Sequence, residues 1–305
     1  MKKILLTCPP MLQSKKYFYE EMSKKYELVC PNVVQTLSEH ELIKLLKDCN
    51  GWIAGDDPVT EKVLTASKHL EVVIKWGVGT DNVDYNAANQ NNIFVKNTPN
   101  MFGNEVADVA LGYLILISRK LHLIDQSIRL GEWKKIQGNS LYGKTAGILG
   151  LGDIGSCLAK RLNILGLNIY GWDPFVKEMP NVEVNIAWPE KISECDYIFF
   201  TCPLNKTTKN IFSENELKLC KDGVSIINVS RGKIINETVI NRGLSTRKIN
   251  FFASDVFENE PLNLESKFIK SSKTILGSHN ASNTLESVLR TNEKCFKFLE
   301  DYFND

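Results

Sequence analysis

Short apolar runs alternate with longer stretches of helical periodicity along the first third of the chain. Two of those stretches, Lys15–Lys24 and Leu37–Leu46, predict helices, and Thr36 or Ser38 stands where it would cap the second one. A β-α repeat of this kind predicts a parallel sheet covered by helices on both faces. The apolar runs predict strands at Lys3–Thr7, Glu27–Cys30, Gly51–Ala54, Glu71–Lys75 and Ile93–Lys96.

The segment Thr98-Pro99-Asn100 interrupts the repeat and precedes a long apolar helix. The pattern predicts this helix from Asn104 to Leu121, with a continuation towards Gly131. Apolar residues lie nearly all round the helix, so several of its sides must be buried. A domain junction and a subunit interface both meet that requirement, and the pattern does not choose between them.

A second β-α series begins at Thr145 and supplies six predicted strands. With a glycine-rich turn after the first strand, the series predicts a doubly wound dinucleotide-binding domain. The last segment, Thr284 to Phe303, has helical periodicity and follows the final strand, so it is free to return to the first domain. The predicted strands span residues 145–150, 168–172, 197–202, 225–230, 251–256 and 274–278.

The turn after the first of these strands has the spacing G-x-G-x-x-G, at Gly150, Gly152 and Gly155. In a strand-turn-helix unit, these glycines permit the tight turn, the approach of a pyrophosphate to the backbone, and close packing of the helix on the strand. Asp173 ends the next strand, where a carboxylate accepts hydrogen bonds from the adenosine ribose. Because that carboxylate repels a 2′-phosphate and no Arg follows in Pro174-Phe175-Val176, the sequence favours NAD over NADP.

Length and composition limit the remaining classes of function. The 305 residues allow about two domains. Hydrophobic residues make up 43% and charged residues 24% of the chain, as in soluble globular proteins. Because the net charge is only +1 and the basic residues are scattered, the sequence predicts no nucleic-acid or membrane surface. The apolar run at the amino terminus is too short for a signal peptide and is better explained as the first strand.

The chain contains eight cysteines, several of them within apolar runs. No pair has the C-x-x-C spacing, so the sequence predicts neither a zinc site nor dithiol chemistry. Unpaired buried thiols are typical of a reducing compartment. We therefore expect a cytoplasmic protein without a bound metal.

Arg231, Glu260 and His279 each follow one of three consecutive predicted strands of the second series. Taken singly, they are explained equally well as a surface ion pair, a solvated acidic loop and a core histidine. Because ligands bind at the carboxyl ends of parallel strands, the three side chains are expected to converge on one cleft. Arg binds carboxylates through its planar fork, His transfers protons near neutral pH, and a neighbouring Glu favours the protonated imidazole. Beside a nicotinamide, this set predicts oxidation of a hydroxy acid to a keto acid.

Several longer motifs accompany the glycine turn. They are GVGTDNVD at 77–84, NTP at 97–99, EVAD at 105–108, CPL at 202–204, INVSRG at 227–232 and DVFENEPL at 255–262. In this order they resemble the D-isomer-specific 2-hydroxyacid dehydrogenase family, which includes phosphoglycerate, D-lactate, glyoxylate and formate dehydrogenases. The resemblance covers nearly the whole chain.

The resemblance implies an α/β fold of two doubly wound parallel-sheet domains. A Rossmann cofactor domain, residues 101–283, is inserted into a flavodoxin-like substrate domain formed by residues 1–100 and 284–305. The resemblance also implies NAD as the cofactor and a small 2-hydroxy or 2-keto acid as the substrate. A homodimer formed through the region of residues 104–121 is expected on the same ground.

The resemblance also assigns roles to individual residues. His279 resembles the general acid/base of the family, Glu260 its partner, and Arg231 the residue that binds the substrate carboxylate and keto oxygen. The backbone N–H groups of Val78 and Gly79 resemble the other contacts with the carboxylate. The cofactor contacts implied by the family are Gly150, Gly152, Asp153, Ile154, Gly155, Asp173, Pro203, Thr208, Val229, His279 and Asp255, the last of which resembles the residue that meets the nicotinamide carboxamide.

One loop departs from the pattern of phosphoglycerate dehydrogenases. Residues 55–60 read GDDPVT and are acidic where those enzymes tend to be basic, and Lys75 is the one candidate cation nearby. We therefore hypothesise that phosphoglycerate is not the best substrate. Thr201, Asn205 and Ser278 also differ from the commonest family pattern, but none of them replaces a proposed catalytic group.

Two other functions stay open. Some relatives of this family are cofactor-sensing scaffolds, such as transcriptional corepressors, in which the dehydrogenase site survives. Others oxidise formate or phosphite on the same fold. Formate dehydrogenases usually have Gln where Glu260 stands, which argues against that chemistry here.

Overall fold

A computed structural model describes residues 1–184 and 187–304 of the chain. The chain forms two compact units. We call Met1–Met101 with Ser282–Asp305 the split unit, and Phe102–Ala281 the inserted unit. Each unit is built around its own parallel sheet with helices, which confirms the predicted α/β fold class.

The sheet of the split unit has the strand order β2-β1-β3-β4-β5, with every pair parallel. This is the flavodoxin-like order. Residues of β3 and β4 are buried on both faces, which explains why these strands are continuous apolar runs rather than alternating patterns. The strands are β1 Lys3–Leu6, β2 Glu27–Val29, β3 Gly51–Ala54, β4 Val72–Lys75 and β5 Phe94–Asn97, within one residue of their predicted ends.

Short helices connect these strands. They are α1 Pro9–Gln13, α2 Tyr19–Met22, α3 Glu39–Leu46, α4 Glu61–Ala66 and α5 Tyr85–Gln90. Ser38, rather than Thr36, caps α3. Its hydroxyl accepts a hydrogen bond from the Glu41 amide, and the Glu41 carboxylate accepts one from the Ser38 amide, which is a capping box.

The predicted helix at Lys15–Lys24 is wrong. The chain forms a single 3₁₀ turn at Lys15–Tyr17, and α2 begins only after Phe18, whose φ is −132°. The Phe18 ring is buried and packs on Phe296, with ring centroids 5.1 Å apart. This tertiary contact outweighs the local helical tendency. It cannot be predicted from local periodicity because Phe296 lies far along the chain.

The sheet of the inserted unit has the strand order β11-β10-β9-β8-β6-β7, again all parallel. All six predicted strands of the second series are confirmed, with ends shifted by up to two residues. They are β6 Thr145–Leu149, β7 Asn168–Trp172, β8 Tyr197–Phe200, β9 Val224–Asn228, β10 Ile249–Ser254 and β11 Thr274–Leu276.

A single bridge extends this sheet beyond β7. Glu183 pairs in parallel with Tyr170, and its backbone exchanges hydrogen bonds of 2.9 Å with Ile169 and Gly171. When this bridge is counted as the third strand, the order becomes the 3-2-1-4-5-6 of dinucleotide-binding folds, followed by β11.

The long apolar helix is divided in two. The helices of the inserted unit are α6 Gly103–Arg119, α7 Leu121–Arg129, α8 Asp153–Ile164, α9 Glu214–Leu219 and α10 Glu237–Ser245. Lys120 adopts a left-handed conformation with φ 54° and separates α6 from α7. Just before this break, the Ser118 carbonyl accepts the Asn139 amide at 2.7 Å, so a later segment crosses the end of α6. No helix in the described ranges is long and apolar enough to span a membrane.

The C-terminal helix α11, Leu285–Asn304, belongs to the split unit. It packs on β4 and α1, and Val288, Cys295 and Leu299 are buried along one face. The last segment therefore lies in the same unit as the first five strands.

Leu217 and Leu219 in α9 provide a matched test of packing in the inserted unit. Leu217 is 4% exposed and belongs to the core, whereas Leu219 is 53% exposed. We expect Leu217→Ala to lower the free energy of unfolding by about 2–5 kcal/mol because it leaves a cavity, and Leu219→Ala by less than about 0.5 kcal/mol. Urea unfolding followed by tryptophan fluorescence measures both, and equal losses would contradict the assigned core.

Candidate functional site

The glycine turn lies between β6 and α8, and two of its glycines are required by the backbone itself. Gly150 has φ 96°, and a Cβ there would lie 2.6 Å from the backbone nitrogen of Cys202 on the neighbouring strand end. A Cβ on Gly155 would lie 1.9 Å from the Gly150 carbonyl oxygen. Any larger residue at either position would therefore force the turn, β8 or α8 apart.

Gly152 is different, because a Cβ there would meet no atom within 4 Å. Its α-carbon faces open space at the N-terminus of α8, a helix of 12 residues whose first amides have no intrahelical acceptor. A helix N-terminus with an unobstructed glycine in front of it binds phosphate oxygens well. The local geometry thus fits the pyrophosphate of a dinucleotide.

Asp173 lies at the end of β7 and is oriented by three backbone amides. Its Oδ2 accepts a hydrogen bond from Leu151 at 2.8 Å, and its Oδ1 accepts bonds from Phe175 at 2.8 Å and Val176 at 3.2 Å. The first contact ties the carboxylate directly to the glycine turn. The remaining lone pairs suit the two hydroxyls of an adenosine ribose beside that turn.

Asp153 follows the turn, and the direction of its side chain was not foreseen from the sequence. A Cβ on Gly103 would lie 2.3 Å from its Oδ1, so the carboxylate lies against the first residue of α6. Its Oδ2 is buried and has no hydrogen-bond partner among the described residues. A carboxylate at a helix N-terminus is electrostatically favourable. The predicted contact of Asp153 with a cofactor is therefore assigned to its backbone N–H.

Pro203 and Thr208 belong to a closed loop after β8. The Thr208 hydroxyl donates to the Pro203 carbonyl at 2.6 Å and accepts from the Asn205 amide at 2.9 Å. Val229 continues the end of β9, and its amide donates to the Phe200 carbonyl at 3.3 Å. Loop closure and strand pairing therefore fix these three predicted cofactor residues before any ligand binds.

His279 and Glu260 form a direct pair in the inserted unit. Nδ1 of His279 lies 2.7 Å from Oε2 of Glu260, and each side chain is 21% exposed. The other carboxylate oxygen, Oε1, accepts the Phe257 amide at 2.8 Å. An ionised carboxylate only accepts hydrogen bonds, so Nδ1 of the neutral ring carries the proton and donates to Glu260. The lone pair of the ring then lies on Nε2. Nε2 is then the atom that takes or gives a proton.

The backbone of His279 is strained as well. Its φ of 54° is unusual for a residue with a side chain, and its amide donates to the Asp255 carbonyl at 2.7 Å. Conformations of this kind persist where the surroundings determine them, and they concentrate at active sites.

Asp255 is the anchor of the segment that carries His279. Its side chain is buried, and its two oxygens accept the amides of Asn280 at 3.1 Å and Ala281 at 2.8 Å. Burial raises the pKa of Asp255, whereas these amides and the charge of His279 oppose the rise. The structure thus gives Asp255 a part in shaping the loop, and its contact with a nicotinamide carboxamide stays a prediction.

Arg231 lies directly after β9 and is half-buried. Its carbonyl accepts the Asn228 side-chain amide at 3.0 Å, and its Nη1 donates to the Ser230 carbonyl at 3.0 Å. A Cβ on Gly232 would lie 1.9 Å from the Phe257 carbonyl carbon, so only glycine lets the Arg231 loop lie against the loop that carries Glu260. The ends of β9, β10 and β11 are thereby joined.

Two further residues support this junction and were missed by sequence reasoning. The Glu237 carboxylate accepts the Glu258 amide at 2.8 Å, and the Glu258 carboxylate accepts the Glu237 amide at 3.2 Å. Glu237 begins α10, so the loop of Glu260 is tied to a helix N-terminus. No spacing rule predicts a reciprocal pair of like-charged residues.

Val78 and Gly79 lie in the split unit, in the loop after β4. Gly77 has φ 120°; its amide donates to the Thr98 hydroxyl at 2.8 Å, and its carbonyl accepts the Thr98 amide at 3.1 Å. The Asn97 side chain donates to the Val78 carbonyl at 2.8 Å. Within the described ranges, no hydrogen bond uses the Val78 or Gly79 amide as donor. Two adjacent amides in a fixed loop are suited to a carboxylate.

Acidic residues line a cavity of about 640 Å³ beside this loop in the split unit, among them Asp56, Asp81 and Asp84. Lys75, only 2% exposed, is committed to Asp56 at 3.2 Å and to the Trp76 carbonyl at 2.9 Å. The lysine ammonium is therefore already partnered. Among the described residues, no cluster of three or more His, Cys, Asp or Glu side chains is arranged to hold a metal.

The predicted site residues thus fall into two groups. The inserted unit brings together the glycine turn with Asp173, and separately the three strand ends that carry Arg231, Glu260 and His279. The split unit contributes Val78 and Gly79.

Comparisons with known proteins agree with this geometry. Residues 111–281, more than half of the chain, match the family model of the D-isomer specific 2-hydroxyacid dehydrogenase NAD binding domain. The D-3-phosphoglycerate dehydrogenase of Sus scrofa is 35% identical over 273 residues, which cover 85% of this chain and 50% of the relative. This chain therefore spans about half the length of the phosphoglycerate dehydrogenases that it resembles.

Two other relatives are closer in length. The glyoxylate reductase of Korarchaeum cryptofilum is 29% identical over 266 residues, covering 84% of this chain and 80% of the relative. The NADPH-dependent glyoxylate/hydroxypyruvate reductase of Sinorhizobium meliloti, solved in complex with NADP and malonate, superposes with a TM-score of 0.87 at 26% identity, covering 99% of this chain and 93% of that chain. These matches confirm the resemblance drawn from the motifs.

Asp173 should decide the choice between NADH and NADPH. Asp173→Asn removes the charge that would repel a 2′-phosphate, so we expect the ratio of the NADPH to the NADH dissociation constant to fall by about tenfold or more. Glu178→Gln removes an equal charge from an exposed position nearby and should leave that ratio unchanged. Fluorescence titration measures both constants. A ratio that is equal in the two variants would refute the role of Asp173.

Proposed function

The chain belongs to the family of D-isomer specific 2-hydroxyacid dehydrogenases, and we propose that it transfers a hydride between NAD and C2 of a D-2-hydroxy acid or 2-keto acid. The observation that carries the proposal is the contact of 2.7 Å between His279 and Glu260 at the carboxyl ends of parallel strands. An imidazole oriented in this way is a competent general acid/base near neutral pH.

We assign the two roles of the reaction to the two units. The predicted cofactor domain, residues 101–283, contains the glycine turn and Asp173, and the family match to an NAD-binding domain lies within it. The predicted substrate domain, residues 1–100 with 284–305, contains the Val78 and Gly79 amides. The backbone N–H of Asp153 and Ile154 are assigned to the pyrophosphate, and Pro203, Thr208 and Val229 to the remainder of the cofactor surface.

When bound, NAD supplies the hydride acceptor or donor. The protein contributes charge and protons. During oxidation, Nε2 of His279 takes the proton of the C2 hydroxyl, and Glu260 stabilises the imidazolium that results. During reduction, the same nitrogen returns the proton. Arg231 binds the substrate carboxylate and stabilises negative charge on the C2 oxygen. The Val78 and Gly79 amides are assigned to binding of the substrate carboxylate.

The substrate is proposed to be an acid without a phosphate group. The supporting observation is the acidic cavity of the split unit, where Asp81 and Asp84 would repel a phosphate. The third carboxylate of the lining, Asp56, is paired with the buried Lys75, whose ammonium also donates to the Trp76 carbonyl. An uncharged or hydroxylated distal group avoids this repulsion.

Oxidation of NADH in the presence of a panel of 2-keto acids tests the function. The panel comprises glyoxylate, hydroxypyruvate, pyruvate, 2-ketobutyrate, oxaloacetate and phosphohydroxypyruvate. We expect turnover of at least one unphosphorylated acid, and a loss of about 10²-fold or more in kcat for His279→Gln, because that variant lacks the general acid. The circular dichroism spectrum and the urea unfolding midpoint of the variant control for folding.

Each outcome of the panel has a definite meaning. If hydroxypyruvate is turned over and phosphohydroxypyruvate is preferred, the proposed substrate class is wrong while the dehydrogenase function stands. Tight NADH binding without turnover of any acid would instead favour the cofactor-sensing scaffold.

We also propose a homodimer through the region of residues 104–121 and a cytoplasmic setting. In support of the dimer, Leu111 and Ile115 of α6 are only half-buried within one chain. Large apolar side chains follow α7 and are mostly exposed, among them Leu130 at 71% and Trp133 at 84%. Exposed large apolar side chains, when they are grouped, mark interaction surfaces. All eight cysteines are free thiols, which agrees with a reducing compartment.

Sedimentation velocity tests the dimer. We expect the wild-type protein to sediment at twice the chain mass of 34.5 kDa. Trp133→Lys should shift it towards the monomer, because a charge at an apolar interface is poorly solvated. Ile164→Lys is the matched control, since Ile164 is also 84% exposed but lies at the end of α8. An equal shift in both variants, or in neither, would count against the proposed interface.

A further inference from the structure

The middle of α11 buries a polar side chain within an apolar stripe. Val288, Asn292, Cys295 and Leu299 lie on the face that packs into the split unit, and Asn292 is only 2% exposed. A buried amide costs free energy unless both its donor and its acceptor are paired. An apolar residue at this position would pack without the cost of burying a polar group. The hydrogen-bond partners of Asn292 therefore indicate the role of the amide.

Both the oxygen and the nitrogen of the Asn292 amide form hydrogen bonds, and the donor and the acceptor of each bond are determined. The indole Nε1–H of Trp76 donates to Asn292 Oδ1 at 2.8 Å, and Asn292 Nδ2 donates to the Ser14 hydroxyl at 2.8 Å. The Ser14 hydroxyl in turn donates to the Met11 carbonyl at 2.9 Å. Because an indole nitrogen can only donate, the orientation of the amide is determined. The chain of hydrogen bonds thus joins α11, the end of β4 and α1.

Trp76 is the residue directly before the carboxylate-binding loop. Its backbone amide donates to the Ala54 carbonyl at 2.9 Å, and its side chain is held by Asn292, so it is fixed at two points. The chain then turns through Gly77, and Thr98 and Asn97 fix the far side of the loop. The Val78 and Gly79 amides therefore lie between two anchors. One of these anchors depends on Asn292, which is 216 residues further along the chain than Trp76.

The geometry points to Asn292 as a positioning residue for the Val78 and Gly79 amides. This inference rests on the proposed function, in which those amides bind the substrate carboxylate. Asn292 acts through Trp76 and contacts no reacting atom. Loss of this hydrogen bond removes one anchor of the Trp76 side chain and lets the residue shift. Small shifts of a binding group have large effects on capture of a ligand. His279 and Arg231 belong to the other unit and are untouched.

Asn292→Leu and Thr291→Val form a matched pair of variants. Asn292→Leu removes both side-chain hydrogen bonds at similar volume. Thr291 is the adjacent residue of α11 and is fully buried. Among the described residues, its hydroxyl donates only to the Ser287 carbonyl within the helix, at 2.7 Å. Each variant loses buried hydrogen bonding and should lower the urea midpoint. Only Asn292→Leu breaks the connection to Trp76.

Steady-state kinetics and hydrogen exchange are measured on the full chain. For Asn292→Leu we expect KM for the reactive 2-keto acid to rise about tenfold with kcat within about twofold. Exchange of the hydrogen-bonded backbone amides of Trp76 and Gly77 should accelerate. The NADH dissociation constant should stay constant. Thr291→Val should change neither KM nor exchange of these two amides. The double variant Trp76→Phe/Asn292→Leu should raise KM by less than the product of the two single changes, because both act through one hydrogen bond.

Two results would overturn the inference. The first is unchanged exchange of the Trp76 and Gly77 amides in Asn292→Leu, and the second is an equal rise of KM in Thr291→Val. The proposed function fails in a different way, through absence of turnover by the wild-type protein. In that case exchange of these two amides still decides whether Asn292 holds the loop.

Discussion

Parallel pairing of the strands is the constraint on which the candidate site depends. Within each sheet all carboxyl ends face the same edge, so the loops that follow neighbouring strands must lie side by side. In the inserted unit this brings Arg231, Glu260 and His279 to adjacent strand ends, although they are separated widely along the chain. In the split unit it places the glycine loop after β4 beside the acidic loop after β3. The candidate site residues lie at these edges because the backbone N–H and C=O groups beyond the strand ends are not hydrogen-bonded within the sheet.

Carboxylates at the site serve the backbone as well as the chemistry. Asp173 and Asp255 each accept a main-chain amide from a neighbouring loop, and Glu260 accepts one from its own loop. Charge-assisted bonds of this type are stronger than bonds between neutral groups, so they help to fix these loops. The strained backbone of His279 is held in the same way, through the segment that Asp255 anchors. The groups that would touch substrate and cofactor are therefore set in place before either binds, which lowers the entropic cost of binding.

Sequence reasoning succeeded where a local pattern has one structural solution and failed where a distant contact decided. The strands were found because continuous apolar runs between turns fit only buried parallel strands, and Gly150 was found because its turn needs a positive φ. The prediction of a continuous helix at Lys15–Lys24 was wrong because Phe18 packs on Phe296, a residue far along the chain. The break at Lys120 was not predicted because the segment that crosses the end of α6 comes later in the chain. The reciprocal hydrogen bonds of Glu237 and Glu258 were not predicted because no sequence spacing is characteristic of such a pair.

The amino-acid sequence by itself determined the α/β class, the positions of the strands along the chain, and the residue types of the site. These depend on hydrophobic periodicity and on short motifs whose backbone needs are local. Only the tertiary structure decided which groups pair. It placed Glu260 on Nδ1 of His279, committed Lys75 to Asp56, and joined Asn292 to Trp76 across the split unit. The physical reason is that a hydrogen bond or ion pair between residues far apart in sequence depends on distances of a few ångströms, and those distances exist only once the sheets and helices have packed.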